Sequence, residues 1–171
     1  MATLYVQNDM NLVLDSFRFD ADQSPINDAI LTAHFFDSSQ TKPITDASNA
    51  SPIVITSVGH GLVTNDVVVI AHALGNRAAN GKWVITRLTA DTFSLNGSTG
   101  NGAYNRGGDW YRAITNGVDI SLTYVVGNNG RYVGVIPSTI DRLSGESSRV
   151  IVFCSNYNFQ MERDHTSAIR T

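Results

Sequence analysis

One segment, Ser51 to Asp109, constrains the fold of this chain more than any other. Within it, short runs rich in Val, Ile and Thr alternate with clusters of Gly and Asn. β-branched residues fit a pleated, half-buried surface, and Asn-Gly pairs supply the positive φ angles of tight hairpin turns. The segment is therefore predicted to be a small, self-contained β module without a catalytic grouping. Its predicted strands are Ile53–Val58, Asp66–Ala71, Lys82–Leu88 and Thr92–Leu95.

The chain on either side of this segment also follows a period of two, which is typical of strands with one buried face. Residues 1–45 offer about three strands, too few to close a stable sandwich alone, and residues 114–171 offer about four more. Together they match the size of an immunoglobulin-like sandwich. The sequence therefore predicts an all-β protein: an Ig-like β-sandwich formed by 1–46 plus 112–171, with the module 47–111 inserted in one loop. Three independent β pieces in series are the alternative. A short helical turn is predicted near Ser138–Leu143.

Composition excludes several classes of protein. The chain has 171 residues with a formal net charge of −3, and its charges are scattered without a basic stripe, which disfavours nucleic-acid binding. Its longest apolar runs span only a few residues, so no transmembrane helix is expected, and the first residues do not predict a secretory signal. Because Cys154 is the only cysteine, an intrachain disulfide and a four-cysteine zinc site are excluded.

Residue types that could carry chemistry each have a more economical structural interpretation. His60 lies between two glycines and without a ligand-like partner, so a turn is expected. Asp20–Ser24 places oxygens at alternate positions, but it lacks the remaining ligands of a calcium loop and predicts a polar hairpin. Gly97–Gly108 lacks the Lys-Ser/Thr ending of a phosphate-binding loop and predicts a long connection. Cys154 is expected to be buried and inert. No catalytic residue, metal or cofactor is therefore predicted, and the protein is expected not to be an enzyme.

The inserted segment resembles a repeat found in tailed-bacteriophage proteins. This repeat is often labelled as similar to the first catalytic cysteine half-domain of ubiquitin-activating enzymes. The module contains no cysteine, so the resemblance does not extend to that chemistry and implies only a small β-barrel-like fold. The matching stretches are Ile55–Leu62, Asn65–Val68, Asn80–Ile85, Asp91–Leu95 and Gly97–Tyr104.

The flanking frame resembles Ig-like accessory proteins of tailed-phage virions, in which a strand carries a Gly-Xaa-Tyr-Xaa-Gly pattern followed by a proline. Here the pattern is Gly130–Gly134, and Pro137 follows. The other matching stretches are Leu12–Asp15, Ile26–Ala33 and Leu122–Val125.

These resemblances imply a non-enzymatic structural protein of a tailed-phage particle, made in the bacterial host cytoplasm and located in the virion. It would dock on the capsid surface or head–tail region, as a capsid-decoration or head–tail connection protein. Its partners would be capsid, neck or tail proteins in a symmetric multimer, without nucleic acid or membrane. Possible partner contacts are Tyr104, Arg106, Trp110 and Tyr111, because Tyr, Trp and Arg are enriched at interface hot spots.

Two alternatives to this picture follow from the same residues. Trp110 and Tyr111 could instead pack against the core of the module. At the level of function, the alternative is a receptor- or carbohydrate-binding module at a tail tip or baseplate, which requires exposed Trp83, Trp110, Tyr104 and Tyr111 around one concavity.

Overall fold

The computed structural model describes residues 3–7, 11–19, 21–113, 119–136, 147–157 and 159–166. The chain is all-β, with 47% strand and 2% helix, so the predicted all-β class is confirmed. The helical element within the described ranges is a 3-10 turn, Arg77–Ala79. The strands are β1 (Thr3–Gln7), β2 (Asn11–Asp15), β3 (Leu31–Pro43), β4 (Asp46–Ala47), β5 (Val54–Thr56), β6 (Val67–Ala71), β7 (Gly81–Arg87), β8 (Thr92–Leu95), β9 (Asp109–Ala113), β10 (Ile120–Tyr124), β11 (Tyr132–Val135), β12 (Ser147–Cys154) and β13 (Phe159–Thr166).

Backbone contacts divide the chain into two compact units. The first unit comprises Met1–Phe35 with Asn116–Thr171, and the second comprises Phe36–Thr115. The division falls within β3, because the first part of that strand pairs with β10 and its later part pairs with β9. The predicted boundaries, 1–46 plus 112–171 around 47–111, and the Ig-like assignment stay predictions. The predicted helical turn at Ser138–Leu143 lies outside the described residues.

In the first unit the strand order is β1-β2-β11-β10-β3-β12-β13. β10 illustrates why these residues form strands, since buried Ile120 and Leu122 alternate with exposed Ser121 and Thr123. Such alternation buries one face of a strand and leaves the other to solvent. The buried apolar side chains of this unit are Leu12, Val13, Leu14, Phe17, Ile26, Leu31, Ala33, Phe35, Ile120, Leu122, Tyr132, Ile136, Val150, Ile151, Val152 and Cys154.

The Gly-Xaa-Tyr-Xaa-Gly pattern has a structural cause in this unit. The buried Tyr132 hydroxyl donates to the Ile26 carbonyl oxygen at 3.0 Å and accepts the Ala29 N–H at 2.8 Å. Gly130 has φ +74°, and a Cβ there would lie 2.3 Å from the Phe17 carbonyl oxygen, so only glycine fits. The pattern therefore joins β11 to a distant loop through one phenol and one close backbone contact.

In the second unit the strand order is β3-β9-β6-β7-β8-β5-β4. The two ends of this series, β3 and β4, are separated in the chain only by Ile44 and Thr45. The Ile44 N–H donates to the Gly108 carbonyl oxygen beside β9, and the Thr45 N–H donates to the Thr56 carbonyl oxygen of β5. The strand order therefore begins and ends on one continuous stretch of chain. The core cluster comprises Ile44, Ala47, Ile53, Ile55, Leu62, Val68, Ile70, Ala73, Ala79, Ile85, Phe93, Leu95 and Trp110.

Candidate functional site

The glycine-rich loop 96–108 is held by asparagine side chains from two neighbouring loops. Buried Asn76 donates to the Ser48 carbonyl oxygen at 2.8 Å, and its side-chain oxygen accepts the Asn101 N–H at 3.2 Å. The Asn49 side-chain oxygen accepts the Gly102 N–H at 3.2 Å. We call these three loops, 48–52, 74–80 and 96–108, the asparagine end. Because the loop N–H groups named here are donated within the protein, they do not form a phosphate cradle.

Close backbone packing explains why glycine is needed at this end. Gly75 has φ +88°, and a Cβ there would lie 2.1 Å from the Ala103 carbonyl oxygen. The Leu74 N–H donates to the Arg106 carbonyl oxygen at 3.0 Å, and the Asn105 N–H donates back to the Leu74 carbonyl oxygen at 2.8 Å. The loop is therefore fixed against its neighbour along its length, as a connection between strands.

Two of the four predicted contact residues lie at the surface of the asparagine end. Arg106 is exposed. Tyr104 is half-buried, and its hydroxyl lies within hydrogen-bond distance of the carbonyl oxygens of Gly107, at 2.9 Å, and Ile44, at 3.2 Å. Burial and the nearby carboxylates of Asp46 and Asp109 raise the pKa of Tyr104. Arg106 can thus meet a partner directly, whereas Tyr104 offers only part of its ring.

The other two predicted contact residues are buried, so the packing alternative describes them. Trp110 is 3% exposed and Tyr111 is 6% exposed. The Trp110 indole N–H donates to the Ser57 hydroxyl at 2.9 Å, and that hydroxyl donates to the Pro43 carbonyl oxygen at 2.8 Å. The Tyr111 ring lies 4.3 Å from the Phe36 ring between centroids. Because both residues on β9 are buried, Tyr104 and Arg106 are the members of the predicted contact set that reach the surface, and their contact with a partner stays a prediction.

Trp83, which the carbohydrate-binding alternative requires on a concave surface, is also engaged in the fold. Its indole N–H donates to the Ala79 carbonyl oxygen at 2.8 Å, and its ring packs against the core cluster. With Trp110 and Tyr111 buried, the structure does not bring these aromatic rings together at the surface.

The loop 57–66, which we call the cap loop, is organised by His60. The buried His60 ring accepts the Leu62 N–H on Nδ1 at 3.0 Å, which leaves Nε2 to donate to the Thr89 carbonyl oxygen at 3.2 Å. The Phe93 ring contacts the imidazole edge to face, with 5.1 Å between centroids. Both imidazole nitrogens thus hold backbone groups, which gives His60 the structural turn role that its flanking glycines predicted.

Three apolar side chains on and beside the cap loop face solvent, and the sequence analysis missed them. Val58 is 69% exposed, Val63 is 55% exposed and Leu88 is 52% exposed. A signal was present, because connecting turns usually carry small and polar residues and this one carries valine on both sides of the buried histidine. We call these three side chains the apolar tip.

In the first unit, the candidate chemical groups are likewise bonded within the fold. Burial raises the pKa of Cys154, and its thiol donates to the Asn156 side-chain oxygen at 3.2 Å. The Asp22 carboxylate accepts the Ser24 N–H at 3.0 Å and the Ser24 hydroxyl at 2.7 Å, and these bonds lower the pKa of Asp22. This is the geometry of a hairpin turn, as predicted for Asp20–Ser24, although Asp20 itself lies outside the described residues.

Comparison with protein-family models and with curated proteins gives no match for this sequence. Across the described ranges, no three His, Cys, Asp or Glu side chains come together in a way that could hold a metal ion. The same part of the chain contains no helix with the length and apolarity needed to cross a membrane.

Proposed function

We propose that this chain is a non-enzymatic structural protein of a tailed-phage particle, which docks on the capsid surface or head–tail region through protein–protein contacts. One observation carries the proposal: the groups with potential chemistry hold the fold, while side chains suited to association face solvent. His60 and Cys154 are buried and hydrogen-bonded, whereas Arg106 and the apolar tip are exposed. The resemblance of the flanking frame and of the inserted segment to tailed-phage proteins supplies the class of particle.

The mechanism in this proposal is burial of surface, multiplied by symmetry. A single contact formed by a few loop side chains is weak, but many copies on a symmetric particle convert it into stable attachment. Rigid loops help, because a loop that is already ordered loses little conformational entropy on docking. The asparagine end and the cap loop both meet that requirement through their internal hydrogen bonds.

The alternative, a receptor- or carbohydrate-binding module at a tail tip or baseplate, is favoured by one observation in the first unit. Phe19 is 40% exposed and contacts the Tyr157 ring edge to face, with 5.5 Å between centroids. The Tyr157 hydroxyl donates to the Asp28 carboxylate at 2.7 Å. An exposed ring paired with a half-buried one beside a carboxylate is a combination that polar ligands can use.

The test is to locate the protein in purified particles. Mass spectrometry of particles banded by density should detect it in many copies, and a particle reconstruction should place it on the capsid or the head–tail region. Arg106→Ala should reduce incorporation by about fivefold, the effect of losing an interface side chain worth about 1 kcal/mol. Arg18→Ala, at an exposed cation of the first unit, is the control and should incorporate normally.

Three outcomes would count against the proposal. Absence of the protein from particles would refute it. Density confined to a tail tip or baseplate would select the alternative. Cleavage of cell-wall polymer by the purified protein would overturn the non-enzymatic assignment.

A further inference from the structure

The apolar tip is held by two loops that are joined to each other by hydrogen bonds. The Ser57 N–H donates to the Asp91 carbonyl oxygen at 2.8 Å, and the Gly59 N–H donates to the Asp91 carboxylate at 2.7 Å. On the other side, the Arg87 N–H donates to the Thr64 hydroxyl at 3.1 Å. Val58 is therefore flanked by the residues that bond to Asp91. Val63 and Leu88 are next in sequence to the bonded pair Thr64 and Arg87. The three side chains therefore lie on two loops that hydrogen bonds hold to each other.

Solvent exposure of all three is a cost unless something covers them. Single exposed apolar residues are common on protein surfaces, but grouped ones mark interaction sites. Buried His60 and Leu62 show that the cap loop already supplies the core of the unit from its inner side. Val58 and Val63 add nothing to that core. Only a contact with another molecule would bury them.

Two cations flank the apolar tip. The Lys42 ammonium donates to the Gly59 carbonyl oxygen, which places its charge at the cap loop. Arg87 is exposed, and its Nε donates to the Thr89 carbonyl oxygen at 3.1 Å. Both side chains thus carry their charges beside the exposed apolar groups.

Two carboxylates lie near the tip, and one of them is neutralised by an ion pair. Asp66 forms a two-pronged ion pair with the Arg112 guanidinium, at 3.0 Å and 3.1 Å. Asp91 accepts the Gly59 N–H. Asp91 is exposed and keeps its negative charge. The tip therefore offers a partner an aliphatic centre bordered by two cations and one carboxylate, a positive excess of one, on a chain whose formal net charge is −3.

We propose that the apolar tip docks into an apolar depression with an acidic rim on another protein. Charge complementarity selects this partner, because like charges facing each other across an interface are unfavourable and a second copy would present the same cations. Two cations are also fewer than the roughly four to eight Lys or Arg residues of segments that bind anionic membranes. The inference rests on the proposed function only in taking the partner to be another virion protein.

Photo-cross-linking identifies the partner directly. A benzophenone amino acid is placed at Val63 of the full chain, and at Val84 in a matched control. Both proteins are produced in the cells in which the chain is naturally made. Val84 is 45% exposed on β7 of the same unit, outside the cap loop and opposite Val67 of β6. We expect the Val63 probe alone to give a cross-linked peptide in which apolar residues are flanked by Asp or Glu. No protein adduct above the Val84 control, a basic peptide, a peptide of the chain itself or a lipid adduct would each overturn the inference.

Substitution gives an independent measurement on the identified partner. Val63→Ser and Leu88→Ser should each weaken its Kd by about tenfold, the effect of leaving one aliphatic side chain unburied. Arg87→Glu should slow association and reduce its dependence on salt. Val84→Ser should change nothing. Unchanged affinity in the tip variants would overturn the inference.

The failures of the two proposals are distinguishable. If the cross-linked partner has the expected chemistry but is no component of a particle, the docking surface stands and the proposed function falls. If the protein is abundant in particles but the Val63 probe gives no acidic, apolar peptide, the proposed function stands and the docking surface falls.

Discussion

Ser57→Ala tests whether Trp110 is held in the core by its hydrogen bond, which is the packing interpretation of this residue as opposed to a partner contact. The Ser57 hydroxyl is fully buried and lies between the Trp110 indole and the Pro43 carbonyl oxygen, accepting from the first and donating to the second. Alanine removes only the oxygen atom, so packing is nearly preserved. Its main effect is to leave the indole N–H without an acceptor in the core.

The expected loss follows from these contacts. A buried donor left unsatisfied costs about 1–3 kcal/mol, and the lost bond to Pro43 adds about 0.5–1.5 kcal/mol. Ser57→Ala should therefore lower the free energy of unfolding by about 2–4 kcal/mol, a large part of the stability of an ordinary domain. Trp110→Phe alone also destabilises, since it removes the donor and some core volume.

A double-mutant cycle isolates the hydrogen bond. In Ser57→Ala with Trp110→Phe, neither polar partner remains, so the penalty for an unsatisfied indole disappears. The double variant should be more stable than the sum of the single losses predicts, by about 1–2 kcal/mol. Urea unfolding followed by far-ultraviolet circular dichroism measures all four proteins without relying on tryptophan fluorescence.

Two results would refute this reasoning. One is a loss below about 0.5 kcal/mol for Ser57→Ala, which is the range of neutral surface substitutions. The other is strict additivity in the double variant. Either would mean that the indole N–H does not depend on Ser57.

Two further predictions concern the first unit. Gly130→Ala should cost about 2 kcal/mol or more, because its Cβ would meet the Phe17 carbonyl oxygen; Gly97→Ala, with φ +78° and open space, should cost less in the same thermal melts. Cys154 should react with a maleimide only on unfolding. Because burial raises its thiol pKa, the unfolded chain releases this proton first as pH rises, so stability should fall above the ordinary thiol pKa, and Cys154→Ala should reduce that slope. Fast labelling of the native protein, or an unchanged slope, would contradict this.

Much of the second unit could be predicted from local sequence. Thr92–Leu95 has the predicted bounds. The predicted run Asp66–Ala71 begins one residue before its strand, and Lys82–Leu88 is displaced by one residue from the strand Gly81–Arg87. In these segments β-branched runs and glycine turns agree with the final pairing. The length of β3 could not be predicted, since its polar second half is a strand only because it pairs with β9, a partner far away in sequence.

The surface could be predicted less well, for a related reason. On β9 both Trp110 and Tyr111 are buried although they point to opposite faces, and alternation cannot reveal that a strand is covered on both sides. The apolar tip was missed because valine in a strand-rich segment reads as a core residue. Only the folded chain shows that Leu62 is covered and Val63 is not.

The register at the boundary of the second unit has a genetic consequence. Phe36, where that unit begins, is the direct partner of Ala113, near where it ends. A coding segment whose product starts and finishes at neighbouring points can be exchanged for another of different length, provided that the new product also brings its ends together. Recombination at these two codons, with an insert of whole codons, would therefore replace the second unit. The two flanking coding segments, which encode the first unit, would keep their reading frame and their strand pairing.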